Sequence, residues 1–129
     1  MTRRWRSRDT VAAFFVTAGV LHFVIPAFYI AIVPPWLPAA PLLVALSGVA
    51  EVAGGVGVLN SRTKRLAGWL LIATLAAVFP ANIYMLQAAI ARGAASSSIA
   101  ALWLRLPVQP LMLWWVWRVA ARAPKGATT

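Results

Sequence analysis

Four apolar runs, each near the ~20 residues that a helix needs to cross a ~30 Å hydrocarbon core, fill most of this 129-residue chain. They extend over about Thr10 to Ile32, Leu42 to Leu59, Leu66 to Ile90 and Ile99 to Ala121. In lipid the backbone polar groups have to be satisfied within the segment, so runs of this kind fold as helices. A soluble domain of this size could not hide them. Hydrophobic residues make up 62% of the chain and charged residues 11%, and a small domain has too much surface for its volume to bury that share. The chain therefore reads as one all-α membrane domain over residues 1–129, a four-transmembrane-helix bundle with the lipid bilayer as its solvent.

The connections are legible too. Pro34-Pro35-Trp36-Leu37-Pro38-Ala39-Ala40-Pro41 resists helix, because proline lacks a donor and restricts the residue before it; it reads as a rigid apolar cap over the bundle mouth. Asn60 to Arg65 is a polar turn, and Arg92 to Ser98 a small-residue loop. Pro80 predicts a kink in the third span. Pro107 leaves two starts for the fourth: a kinked helix from Ile99, or a short entry segment with Pro107 at the first helical position. The first run follows a basic stretch, as a signal peptide would. It exceeds the roughly 7–15 residues of an h-region and ends on no Ala-x-Ala site, so it reads as a retained helix.

A net charge of +10 raises the question of nucleic acid. Ten of the twelve cations, however, fall in three clusters at or beyond the ends of the apolar runs: Arg3, Arg4, Arg6 and Arg8; Arg62, Lys64 and Arg65; Arg118, Arg122 and Lys125. A nucleic-acid binder would gather them on one folded face; here they sit where anionic headgroups lie. Ten of them fall on alternate connections, against Arg92 alone on the other side. The positive-inside rule then places both termini in the cytoplasm. Trp5, Trp69 and Trp117 lie near the inner boundary and Trp36 and Trp103 near the outer, as interfacial belts do.

Within the spans a few polar residues stand out. His22, Glu51, Asn82 and Gln109 each lie roughly 12–15 Å below the outer boundary when counted at ~1.5 Å per residue. Arg105 starts nearer the surface, but its long side chain reaches toward the same level. An ionisable group in a span costs about 2.5–3.5 kcal/mol even on lenient scales and generally faces the bundle interior and a partner. Glu51 and Asp9 are the only acidic residues, so Glu51 is the only carboxylate at this depth, with Arg105 or a protonated His22 as its expected partner. Small residues share its helical face (Ser47, Gly48 and Gly55), and Ala18, Gly19, Pro26 and Tyr29 share that of His22; small neighbours let membrane helices approach closely. These five residues, His22, Glu51, Asn82, Arg105 and Gln109, are the candidate ligand-binding layer. The bland alternative is a polar cluster that only holds helices together.

The absence of cysteine excludes disulfides, thiolate metal sites and cysteine nucleophiles. One His and one Glu at a common depth fall short of a metal site. No triad, P-loop or dinucleotide fingerprint is present, and Gly54-Gly55-Val56-Gly57 lies inside a span, where it cannot cradle phosphate.

Several segments together are similar to the small DoxX-like bacterial membrane proteins: Gly19-Val20-Leu21-His22-Phe23, Val33-Pro34-Pro35-Trp36-Leu37-Pro38, Ser47-Gly48-Val49-Ala50-Glu51, Phe79-Pro80-Ala81-Asn82-Ile83-Tyr84-Met85 and Arg105-Leu106-Pro107-Val108-Gln109. The resemblance spans about Val16 to Arg118. It implies a four-helix bundle in the bacterial cytoplasmic (inner) membrane, with the same five polar residues at motif positions. It also implies a membrane subunit or quinone-interacting component of a redox system, with redox partner subunits or a quinone as partners; nucleic acid is already set aside by the distribution of the cations, and an oligomer stays open. A thiol-based version is excluded by the lack of cysteine. The alternatives are a binding or transport protein for a small polar or anionic solute, or a structural membrane partner. Whether the chain is an enzyme stays open at this point.

Overall fold

The computed structural model describes residues 2–122, with side chains from Ser7 onward. The side chains of Arg3, Arg4, Trp5 and Arg6, and the whole of Lys125, thus lie outside the described residues. The chain is all-α. Five helices follow one another: α1 (Thr2–Val24), α2 (Pro26–Ala31), α3 (Ala40–Gly57), α4 (Lys64–Ala91) and α5 (Ser96–Val116), the last continuing as a π-helical turn, Trp117–Ala121. Three of these segments, α3, α4 and Ser96–Ala121, are long and apolar enough to cross a membrane.

The expected first span, Thr10 to Ile32, is two helices rather than one. Ile25 precedes a proline and leaves the helical region, at φ −128° and ψ 59°, as the ring of Pro26 demands of its neighbour. Pro26 then opens α2 at its first position, where a missing N–H costs nothing. The fourth run is settled the other way. α5 starts at Ser96 and passes through both Pro107 and Pro110, so the start at Pro107 is excluded. Pro80 likewise sits inside α4 without ending it.

Local chemistry closes the other ends. After α3, Thr63 Oγ donates to the carbonyl of Gly57 at 2.7 Å, and the Asn60 side chain accepts from the Arg62 N–H at 2.9 Å. At the end of α4, Gly93 takes φ +70°, Ala94 N–H bonds to Ala89 O at 3.0 Å and Gly93 N–H to Ile90 O at 3.1 Å. This is the paired pattern of a Schellman stop, for which glycine is the residue without penalty.

α1 packs along α3, α3 along α4 and α4 along α5, while the π turn returns to α1 and α4. The α1–α3 seam is a backbone approach: a Cβ on Gly19 would come within 2.7 Å of Gly48 O, and one on Gly55 within 3.1 Å of Val16 N. The seam of α4 with the π turn is as close, since a Cβ on Gly68 would meet Ala120 and Ala121 at 2.9 Å. Arg65 Nε also donates to Ala121 O at 3.3 Å. The apolar core, built on Val11, Phe15, Val58, Leu71, Leu75, Val116 and Ala120, belongs to this end of the bundle. Large apolar side chains cover the outside, Leu66, Leu104, Leu111 and most tryptophans among them. Water would penalise that surface and lipid does not.

Candidate functional site

At the opposite end the helices leave a cavity of about 560 Å³. Phe15 and Leu75, the last residues of the apolar core in that direction, belong to its wall together with Met112. Val33, Pro34 and Leu37, from the proline-rich connection, line it as well. That connection is folded by a turn in which Leu37 N–H bonds to Pro34 O at 3.0 Å, and Pro34 is fully buried.

His22 comes from the last turn of α1. Its Nδ1 lies 2.7 Å from the Ala18 carbonyl and 3.3 Å from Glu51 Oε2. The carbonyl can only accept, so Nδ1 must carry the proton; the tautomer follows from this partner. Nε2 makes no hydrogen bond within the described residues. The ring stacks on Tyr29, centroids 4.0 Å apart and planes 16° from parallel.

Glu51 is presented by α3, on the face that carries Gly48 and Gly55. It is 7% exposed. Its Oε2 is the one buried side-chain nitrogen or oxygen among the described residues without a hydrogen bond. Leaving a buried acceptor unpaired costs about 1–3 kcal/mol, and such an exception in an otherwise satisfied structure calls for an explanation.

α4 and α5 supply the facing wall. Asn82 Nδ2 donates to Gln109 Oε1 at 2.9 Å, and Gln109 Nε2 donates to Leu75 O at 2.6 Å. The Leu75 carbonyl lies one residue before Ala76, whose carbonyl loses its helical donor at Pro80. Pro107 and Pro110 bracket Gln109 on α5.

All five residues chosen by depth line this one cavity: His22, Glu51, Asn82, Arg105 and Gln109. The expected Glu51–Arg105 pairing is not present. Arg105 is exposed, and its Nη1 reaches Met85 Sδ at 3.7 Å. Among the described residues, His22 is the partner within ion-pair distance of Glu51. Depth counting fixes height but not the direction around the helix axis, and Arg105 points to the rim. In the sequence Tyr29 is only a neighbour on the His22 face, yet it stacks on that ring across the break at Ile25. The Leu75 carbonyl left no trace in the sequence beyond Pro80, five residues on. Among the described residues no three His, Cys, Asp or Glu side chains gather.

The arrangement is that of a small-molecule site: mostly apolar walls, aromatic rings and a few convergent polar groups. Neither a search of curated proteins nor one of solved structures returned a match. A family described as a domain of unknown function (DUF8561) matches residues 11–120, nearly the whole length of the chain, and the protein belongs to that family.

Proposed function

We propose that this protein is a four-helix, multi-pass protein of the bacterial cytoplasmic membrane, with both termini in the cytoplasm, which binds a quinone head group as a membrane component of a redox system. One observation carries the reading: five polar side chains from four helices converge on a cavity with apolar and aromatic walls, and one of them keeps a buried, unpaired oxygen. An amphipathic ring fits such walls. The DoxX-like motif segments, which contain all five residues, support the same assignment.

The residues fit the group. His22 Nε2 and Glu51 Oε2 would accept hydrogen bonds from the ring on one wall, Asn82 would bond a ring oxygen from the other, and Arg105 would sit at the rim. When bound, a quinone would carry electrons and protons to or from partner subunits. Gln109 is committed to Asn82 and Leu75 and positions rather than binds. The solute-binding alternative is weaker for an anion, because Glu51 is buried in the cavity wall while the exposed Arg105 is the only cation there. Buried charge without a counter-charge is costly.

Organic extraction of the protein purified from bacterial membranes tests this. A quinone should be recovered in near-stoichiometric amount, and Glu51→Leu should lose most of it while the fold persists. A cofactor-free, colourless preparation from quinone-replete membranes would overturn the assignment and favour a structural role.

A further inference from the structure

The hydrogen bonds that the protein makes for itself also say what it leaves unmade. On the α1–α3 wall, Nδ1 of His22 is engaged with Ala18 O, so the neutral ring offers only the Nε2 lone pair. Beside it, Glu51 Oε2 is buried without a donor. Ser47 cannot supply one, since its hydroxyl lies 3.0 Å from both Leu43 O and Val44 O of its own helix. The open positions of His22 and Glu51 are therefore both acceptors, in side chains whose closest approach, His22 Nδ1 to Glu51 Oε2, is 3.3 Å. The aromatic surface is at the same place, in the Tyr29 ring stacked on His22.

We infer that the cavity recognises a hydroxylated aromatic ring, a hydrogen-bond donor, in preference to the same ring bearing only carbonyl or ether oxygens. This rests on the quinone reading and deepens it by naming the state held: the dihydroxy, reduced ring. An O–H directed at Glu51 Oε2 pairs the orphaned oxygen, whereas a carbonyl oxygen there sets acceptor against acceptor. The donors that line the cavity do not reverse the preference. The Asn82 amide, the Tyr29 hydroxyl and the Arg105 guanidinium can each donate to a ring oxygen of either form, so they hold the ring without distinguishing the two states.

The test compares three ligands of nearly one shape, trimethylhydroquinone, its dimethyl ether and the corresponding trimethylquinone. Each is titrated calorimetrically and anaerobically into the full chain in detergent. Loss of one hydrogen bond that leaves a buried acceptor unpaired corresponds to roughly ten-fold or more in affinity. The hydroquinone should thus bind at least about ten-fold more tightly than the ether and the quinone. Glu51→Gln should narrow the gap between hydroquinone and quinone, because the amide can donate as well as accept. The wild-type comparison stands alone if that variant fails to fold. Equal or tighter binding of the quinone or the ether would overturn the donor preference while leaving the quinone site intact. Binding of none of the three would overturn the quinone reading itself.

Discussion

Gly48→Leu is expected to give a protein that no longer packs α1 against α3 and unfolds far more readily in detergent than the parent. A Cβ at this position would already lie 2.8 Å from His22 Cβ and from the Phe23 ring, and 3.1 Å from the backbone oxygen of Gly19. Side chains can shift, but the Gly19 carbonyl belongs to a helix that Gly55 holds at the same close distance. Overpacking of this kind costs about 1–3 kcal/mol where neighbours can yield, and more is expected where one of them is backbone. Membrane helices have little hydrophobic driving force to offset the loss, because close packing is itself the source of their association. Thermal unfolding followed by circular dichroism reads the effect. Unchanged stability would mean that the helices do not meet at this face. Because Gly48 lies against His22, the variant should also separate His22 from Glu51.

Gln109→Leu is expected to be nearly as damaging, for a different reason. Gln109 is 7% exposed and serves two partners at once, accepting from Asn82 and donating to the Leu75 carbonyl. Leucine fills similar space but removes both hydrogen bonds and leaves Asn82 Nδ2 without this acceptor, a loss on the order of 2–3 kcal/mol in all. Asn82 borders the cavity and can recover part of its loss from water. Adding Asn82→Leu to Gln109→Leu should then cost less than the two single changes together, a non-additivity expected for residues in direct contact. Equilibrium unfolding of the three variants measures it, and strict additivity would show that the amide pair does not form.

Much of this arrangement was legible in the sequence because the costs that govern membrane chains are large. Apolar runs located α3 and α4 to within a few residues, and the penalty for ionisable groups in lipid drew attention to one layer of five side chains that indeed share a cavity. What escaped was set by smaller effects. Pro26 lies in an apolar run, so hydropathy carried the first span through Ile25, where backbone sterics end the helix. Pro107 and Pro110 could equally start or interrupt a helix, since a buried bundle can satisfy freed carbonyls from neighbouring side chains. Gln109 donates to the carbonyl of Leu75, the neighbour of the Ala76 carbonyl that Pro80 leaves without its helical donor. The choice of His22 over Arg105 as the neighbour of Glu51 depended on direction around α5, which no count of residues along a span contains.

A polar layer that surrounds a ligand differs from one that merely binds helix to helix in what lies between its walls. An experimental density map of the protein in lipid nanodiscs, prepared from the membranes that produce it, tells the two apart. Planar ring density is expected between the His22–Glu51 wall and Asn82, with an oxygen within hydrogen-bond distance of Glu51 Oε2. A bundle closed on itself, with Glu51 paired to a side chain across the layer and no space between the walls, would contradict it.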